Sequence, residues 1–257
     1  SAFADTKILK FAQDNKTDPF ENPAHACTAV FANIVEADTN GSIKVEVYPS
    51  NQLGSAAEHV QFIQDNVVQA TLTSTGAISS YYPRIDVLNL AFAFDHNAAT
   101  YEVFDGPFGT ALAADIEATI PNSKVLGFPD TGGFFAITNS KRPIENLEDF
   151  EGIQTGVIDG QMNPVPIISF ANFSEVQDYM TLTNHLFSPY TFMMSKSFWD
   201  SLSEDEQRVV NYAAESCVTA SRGLSRIIEA SDRGLAGLMD KIEVTALSAE
   251  AREEFKA

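Results

Sequence analysis

Three sets of polar side chains follow strand-like segments and are the residues best placed to do chemistry. Gln13, Asp14 and Asn15 come after KILKFA, and Thr73, Ser74 and Thr75 after QATL. Asp159, Gln161 and Asn163 come after IQTGV. In α/β proteins ligands sit beyond the carboxyl ends of the strands, so turns of this kind line a small-molecule cleft. Amides and hydroxyls orient a solute there without the desolvation cost of a buried charge. Asn, Asp and Ser are also ordinary turn residues, and at each single site that plainer reading stands beside the functional one.

Catalytic signatures are absent. The chain has no GxxxxGK[ST] or GxGxxG phosphate cradle, no C-x-x-C and no G-x-S-x-G elbow. His25, His59, His96 and His185 lie far apart, with no second ligand at helical spacing, so no metal site is expected. Ser74, His185 and Asp159 all fall at element ends, as Ser, His and Asp residues do in most chains of this size. No enzymatic activity and no cofactor are expected.

Composition narrows the partners. Sixteen Lys and Arg against 35 Asp and Glu give a net charge of −19 over 257 residues. Such a surface repels phosphate backbones and anionic lipid, which argues against nucleic acid and membrane surfaces. No apolar run approaches a membrane span. Ala2-Phe3-Ala4 before Asp5 has the small-residue pattern that ends a secretory signal, so an exported chain with its signal peptide removed is expected. Cys27 and Cys217 are the only cysteines. A disulfide and two buried free thiols are both open readings.

The elements that would position these residues alternate. TKILKFA, IKVEVYP, VVQATL and SKVLGFP read as strands, and AHACTAVFANIVEAD and SAAEHVQFIQDN as helices between them. VLNLAFAF is a short apolar stretch, and NAATYEVFDGPFGTALAADIEAT is helical around a Gly-Pro break. This βαβα order predicts an α/β lobe with a largely parallel sheet. GGFFAITN then opens a second lobe, with Asn146 as N-cap of a short helix and one or two strands in LTNHLFSPYTFMMSK. SLSEDEQ through DKI reads as one long helix, capped by Ser203 and Glu206. KIEVTALS is a final strand, and SAEAREEFKA is polar and helical.

One internal echo is informative. IQTGVIDGQ repeats the pattern of IQDNVVQA ninety residues earlier, but the earlier copy is preceded by a strand and a helix. In the later copy Gly152 runs straight into Ile153.

The motifs together resemble the solute-binding proteins of TRAP transporters, the DctP-type family. KVEVYPSNQLGSAAEHVQFIQDN, ITNSKRPIENLEDFEG, GVIDGQMNP and LTNHLFSPYTFMMSKSFWDSLSEDEQ follow the family's order over nearly the whole chain. The resemblance implies a periplasmic, two-lobed α/β protein with crossing strands and a long interlobe helix. It implies hinge closure on a small organic solute, usually carboxylate-bearing, which is delivered to a membrane permease. The expected boundaries are lobe 1 over 1–129 with part of 190–257 returning to it, lobe 2 over 130–189, and the long helix over 200–235. Carried over by position, the candidate ligand residues are Gln13, Asp14, Thr73, Ser74, Phe134, Phe135, Asn163 and His185. A monomer is expected, and a sensory binding protein is the alternative with the same fold.

The chain departs from the family in four places. A strand with a carboxylate-clamping arginine, and the helix after it, are expected between Gly152 and Ile153 and are not there. The favoured reconciliation is a segment that the molecule carries and the 257-residue sequence omits. A true deletion, with a binding-defective paralogue as its consequence, is the other. Phe135 stands where many members have a second arginine, and Met162 where they have Glu. The pocket is therefore expected to be more apolar than one built for a dicarboxylate, and to suit a monocarboxylate or zwitterion. Phe134 and Phe135 as plain strand core is the competing reading. Finally, the family normally continues beyond SAEAREEFKA with another helix.

Overall fold

The structure, a computed structural model, describes residues 6–150, 153 and 159–256. The first lobe is built in the order β1 (Lys7–Ala12), α1 (Pro23–Asp38), β2 (Ile43–Tyr48), α2 (Ala56–Gln64), β3 (Ala70–Thr73) and α3 (Thr75–Ser79). A 3-10 turn at Pro83–Asn89 leads to α4 (Asn97–Asp105), α5 (Pro107–Thr119) and β4 (Ser123–Gly127). The second lobe holds β5 (Phe135–Asn139), a 3-10 turn at Leu147–Phe150, β6 (Gly160–Pro164), α6 (Val165–Phe170) and β7 (Tyr179–Leu182). Then come β8 (Thr191–Ser195), α7 (Lys196–Asp200), α8 (Glu204–Glu229), α9 (Leu235–Met239), β9 (Glu243–Ala246) and α10 (Ala249–Lys256).

Local chemistry sets the helix starts. Asn22 accepts hydrogen bonds from the backbone N–H groups of Ala24 and His25, with Pro23 in the first turn of α1. Ser55 with Glu58 and Ser203 with Glu206 form reciprocal capping boxes at α2 and α8. Asn146 takes the N–H groups of Glu148 and Asp149, as expected of a cap. The expected turn at Ser74–Thr75 is instead the start of α3, because Ser74 accepts the Ala77 N–H. The long helical pattern is also divided. α8 ends at Glu229, and after the Ser231–Gly234 turn α9 begins as a separate helix.

Two sheets result. The first has the order β2-β1-β3-β8-β4, with β1 parallel to β2 and β3, and β8 antiparallel to both β3 and β4. The second has the order β6-β5-β7-β9, with β5 antiparallel to β6 and β7, and β9 parallel to β7. The two sheets correspond. β3 and β6 follow the echoed segments, and each is antiparallel to a strand that arrives from the other lobe. Beyond β3 the first sheet continues to β1 and β2, whereas among the described residues the second stops at β6. The expected break at Gly152 lies outside the described residues.

The first lobe's core is aromatic at its centre. Phe11, Phe31 and Phe192 are fully buried with ring centroids 5.1–5.6 Å apart. Each buried ring of this kind contributes about 1.5–3 kcal/mol. Cys27 on α1 and Cys217 on α8 lie in the same core and form a disulfide, which decides between the two readings left open by the sequence.

Among the described residues three segments join the lobes. The chain leaves after β4 through Phe128–Phe134 and returns after β7 through Thr183–Tyr190. α8 is the third link, about 39 Å long at 1.5 Å per residue. Its Val210, Ala213 and Cys217 lie in the first lobe's core, and it also packs against α6 of the second. The chain then stays with the second lobe, where Leu238 and Ile242 pack with Ala136, Val165, Ile168 and Met180.

Candidate ligand cleft

The strand ends of the first lobe meet the returning segment in two hydrogen-bonded polar clusters. Asn15 Nδ2 donates to Asp14 Oδ1 at 2.6 Å and to the Tyr190 hydroxyl at 2.8 Å. Burial raises the Asp14 carboxyl above its usual range, against the opposing effect of its hydrogen bonds. Burial, with the Asp14 charge beside it, pushes the Tyr190 hydroxyl up as well. The hydroxyls of Thr75 and Ser188 are 2.8 Å apart, and Thr131 Oγ1 donates to the Ser188 carbonyl at 2.8 Å. Asp14, Asn15 and Tyr190 thus form one hydrogen-bonded cluster and Thr75, Thr131 and Ser188 a second, both anchored on the returning segment.

The other candidates divide. Gln13 is fully buried, held against α1 by His25 Nδ1 at 2.6 Å and by the Thr28 hydroxyl at 3.2 Å. Thr73 is also fully buried, its hydroxyl donated to the Thr191 carbonyl at 3.2 Å. Both are held inside the first lobe by these partners. Ser74 caps α3 and remains at the strand end. Phe134 is a core residue, packed edge-on against Phe187 at 5.6 Å. Phe135 is half-buried and stands opposite Pro164 across the β5–β6 pair. Asn163 donates to Gln161 Oε1 at 2.5 Å, and Gln161 donates to the Thr138 hydroxyl at 2.6 Å. Ser74, His185 and Asp159 each have other partners. Asp159 pairs with Lys141 at 2.7 Å, and His185 is held by Thr183.

A hinge strap adjoins the second cluster. The buried Asp130 carboxylate accepts the N–H groups of Gly132 and Gly133 at 2.8 and 2.6 Å and the Tyr101 hydroxyl at 2.6 Å. Arg226 of α8 donates to the Gly132 carbonyl at 3.1 Å and pairs with Glu229 at 2.6 Å.

A cavity of about 250 Å3 lies between the lobes, lined by Ala91 and Phe92 of the first lobe, Ile137 of β5 and Met162 of β6. Thr183 and His185 of the returning segment, Phe150, Ile153, and Phe255 of α10 complete it. His185 Nδ1 is 2.7 Å from the Thr183 hydroxyl and Nε2 3.4 Å from the Met162 sulfur. Burial pushes its pKa down to about 4, so the ring is neutral near pH 7. Phe92 has φ +58°, a left-handed conformation costing of order 1–3 kcal/mol for a bulky residue, and its N–H donates to the His185 carbonyl at 2.6 Å. The Arg252 guanidinium lies over the Phe92 ring, 5.1 Å from its centroid. Sequence reasoning missed Phe92, Phe255 and Arg252. The usable signal was Arg252 and Phe255 three apart in a helical segment, which puts both on one face. Among the described residues no group of three or more His, Cys, Asp or Glu side chains is placed to hold a metal.

Two α/β lobes that exchange strands, with polar clusters and a cavity where they meet, define a binding protein of the hinged, two-lobed class. The sequence comparisons then place the chain: it belongs to the bacterial extracellular solute-binding proteins, family 7 (DctP), whose model matches residues 15–154 and 150–257. A solute-binding protein of Verminephrobacter eiseniae is 29% identical over 244 residues, covering 82% of this chain and 71% of that one. The C4-dicarboxylate-binding periplasmic protein DctP of Rhodobacter capsulatus is 26% identical over 291 residues, covering 99% of this chain and 85% of that one. That span exceeds the 257 residues of this chain, so the relative carries positions with no counterpart here. The sugar acid binding protein DctPAm of Advenella mimigardefordensis, solved with galactonate, is similar in structure with a TM-score of 0.88 and 28% identity. The match covers 98% of this chain and 90% of that one.

Proposed function

We propose that this chain captures a small organic acid or zwitterion between its lobes, outside the cytoplasm and in the periplasm, and passes it to the membrane permease of a TRAP transporter. The observation that carries this reading is the exchange of β5 and β8 between the sheets. It leaves two crossing segments and α8 as the links between the lobes, an arrangement in which one lobe can swing against the other. Family membership and the acid-binding relatives support it. Closure rather than catalysis is the expected work, and no cofactor enters it.

The pocket reading follows from Phe135 and Met162. With these in place of charged family residues, a monocarboxylate or zwitterion fits better than a dicarboxylate. The test is calorimetric titration with a panel of acids, together with small-angle scattering. A ligand that binds should reduce the radius of gyration. A dicarboxylate binding tenfold tighter than every monocarboxylate and zwitterion would refute the pocket reading. No binding and no compaction with any acid would refute solute capture itself.

A second reading is favoured by the second sheet, which among the described residues has one strand fewer than the first. If the strands that would continue it beyond β6 are deleted, the chain is a remodelled or binding-defective paralogue. Intact mass separates this from a segment omitted from the sequence: 28.0 kDa for a deletion, and roughly 3 kDa or more above that for a chain carrying a βα segment of about 30 residues.

A further inference from the structure

We infer that the interlobe cavity takes the apolar body of a monocarboxylate, and that Arg252 binds its carboxylate. This rests on the solute-capture reading and names the ligand class for it.

Arg252 is the unusual arginine of this chain. Arg84, Arg208, Arg222, Arg226 and Arg233 each face a carboxylate. Arg142 donates to the Asp149 carbonyl. Among the described residues Arg252 has neither a carboxylate nor a hydrogen-bond acceptor for its guanidinium, although it is half-buried. A guanidinium presents five donors in a planar fork that matches a carboxylate. Here that fork is stacked on Phe92, which orients it, and Phe92 is itself a wall of the cavity. Arg252 and Phe255 share one face of α10, so the helix that brings Phe255 into the cavity also lays a cation on Phe92, one of the cavity's walls.

The walls then select the rest of the ligand. Ala91, Phe92, Ile137, Phe150, Met162 and Phe255 offer no charge, and among the described residues that line the cavity the one titratable group, His185, is neutral near pH 7. Burying a second carboxylate or a chain of hydroxyls among them would leave polar groups unsatisfied. At roughly 30 Å3 per non-hydrogen atom, the share of a liquid water molecule, the cavity holds a body of about eight such atoms. His185 adds one polar contact. The Thr183 hydroxyl is also 3.3 Å from the Phe135 carbonyl. When its single proton is donated there, His185 donates from Nδ1 and Nε2 is left as an acceptor beside Met162, able to take an O–H or N–H of the solute. The strained backbone of Phe92 is the second sign that this wall is shaped for a ligand.

The test is calorimetric titration of the whole chain with benzoate and hexanoate, against succinate and gluconate. The expected result is that benzoate or hexanoate binds at least tenfold tighter than either hydrophilic acid. Arg252→Gln should weaken that binding tenfold or more with the melting temperature unchanged, and Arg252→Lys should fall between. Ala91→Trp, which fills the cavity from its exposed edge, should abolish it; circular dichroism verifies the fold of each variant. If Arg252→Gln binds benzoate and hexanoate as the parent does, or if the parent prefers succinate or gluconate, this site is overturned while solute capture stands. If the parent binds no acid, both fall.

Discussion

The guanidinium of Arg226 occupies the space that a side chain at Gly133 would fill. Gly133 also has φ +100°, a conformation that glycine adopts and L side chains resist. The strap between β4 and β5 is therefore threaded under α8, and a methyl group at Gly133 would push the Arg226 guanidinium off the Gly132 carbonyl and Glu229. Gly133→Ala is expected to cost about 2 kcal/mol, a fall in melting temperature of about 4–8 °C for a chain of this size. Gly223→Ala on the same helix meets nothing within 4 Å and should raise it by about 1–4 °C, because helical alanine is favoured by about 0.5–1 kcal/mol. Calorimetric scanning compares the two, and equal effects would remove Arg226 from the account.

The Cys27–Cys217 bond lies in the first lobe's core and closes a loop, at a sequence separation of 190, that includes β5 to β7 of the second lobe. Removing it should destabilise the protein by about 2–5 kcal/mol. Thiol titration in denaturant is expected to find no free thiol before reduction and two after it. Two thiols before reduction would contradict the assignment.

Stability should fall on acidification in two windows. His185 has a folded pKa of about 4, and burial also lowers His25 and His59 below the ordinary value of 6.5. Lowered folded values mean that the unfolded chain takes up protons first, so stability present above pH 6.5 is lost as pH falls towards 4. Below pH 4.5 Glu206 adds its own loss. Burial alone would raise its carboxyl, but hydrogen bonds from Lys7, Ser203 and Ser42 outweigh that and hold it at about 2. Asp14 and Glu229, raised by burial, act in the opposite sense. Melting temperatures from pH 7.5 to 3.5 measure the profile, and His185→Gln should flatten its upper part. An unchanged slope in that variant would count against His185.

Glu206 joins three elements. It accepts from Lys7 of β1 at 2.6 Å, from the Ser42 hydroxyl before β2 at 2.8 Å and from the Ser203 N–H at 2.8 Å. Glu206→Gln should cost about 1–3 kcal/mol, because charge-assisted bonds are lost while the shape is kept. Ser203→Ala, which removes only the side-chain half of the cap, should cost about 1 kcal/mol. Urea midpoints rank the two, and a larger loss at Ser203 would reverse this account.

Much of this architecture was legible in the sequence because its signals are local. Alternation gave IKVEVYP as β2, and the Ser203–Glu206 spacing gave the start of α8. The break after Glu229 was harder, since its cause is a turn bonded through Ser231 and Gly234 rather than a proline. In the site, position after a strand was a weaker guide. Gln13 and Thr73 follow the rule and still face inward, because α1 and β8 supply their partners and neither pairing can be read from the strand itself. Arg252 was missed for the same reason, since Phe92, the ring it covers, lies 160 positions earlier in the chain.

The sheets, unequal among the described residues, make the protein a natural chassis for a biosensor. The family model ends its first match and begins its second within residues 150–154, beside β6 where the described second sheet stops. Phe150, which lines the interlobe cavity, borders that seam, so a small dye coupled beside it would lie next to the site and away from the disulfide-braced frame. Under the proposed closure, occupancy of the cavity would become an optical signal.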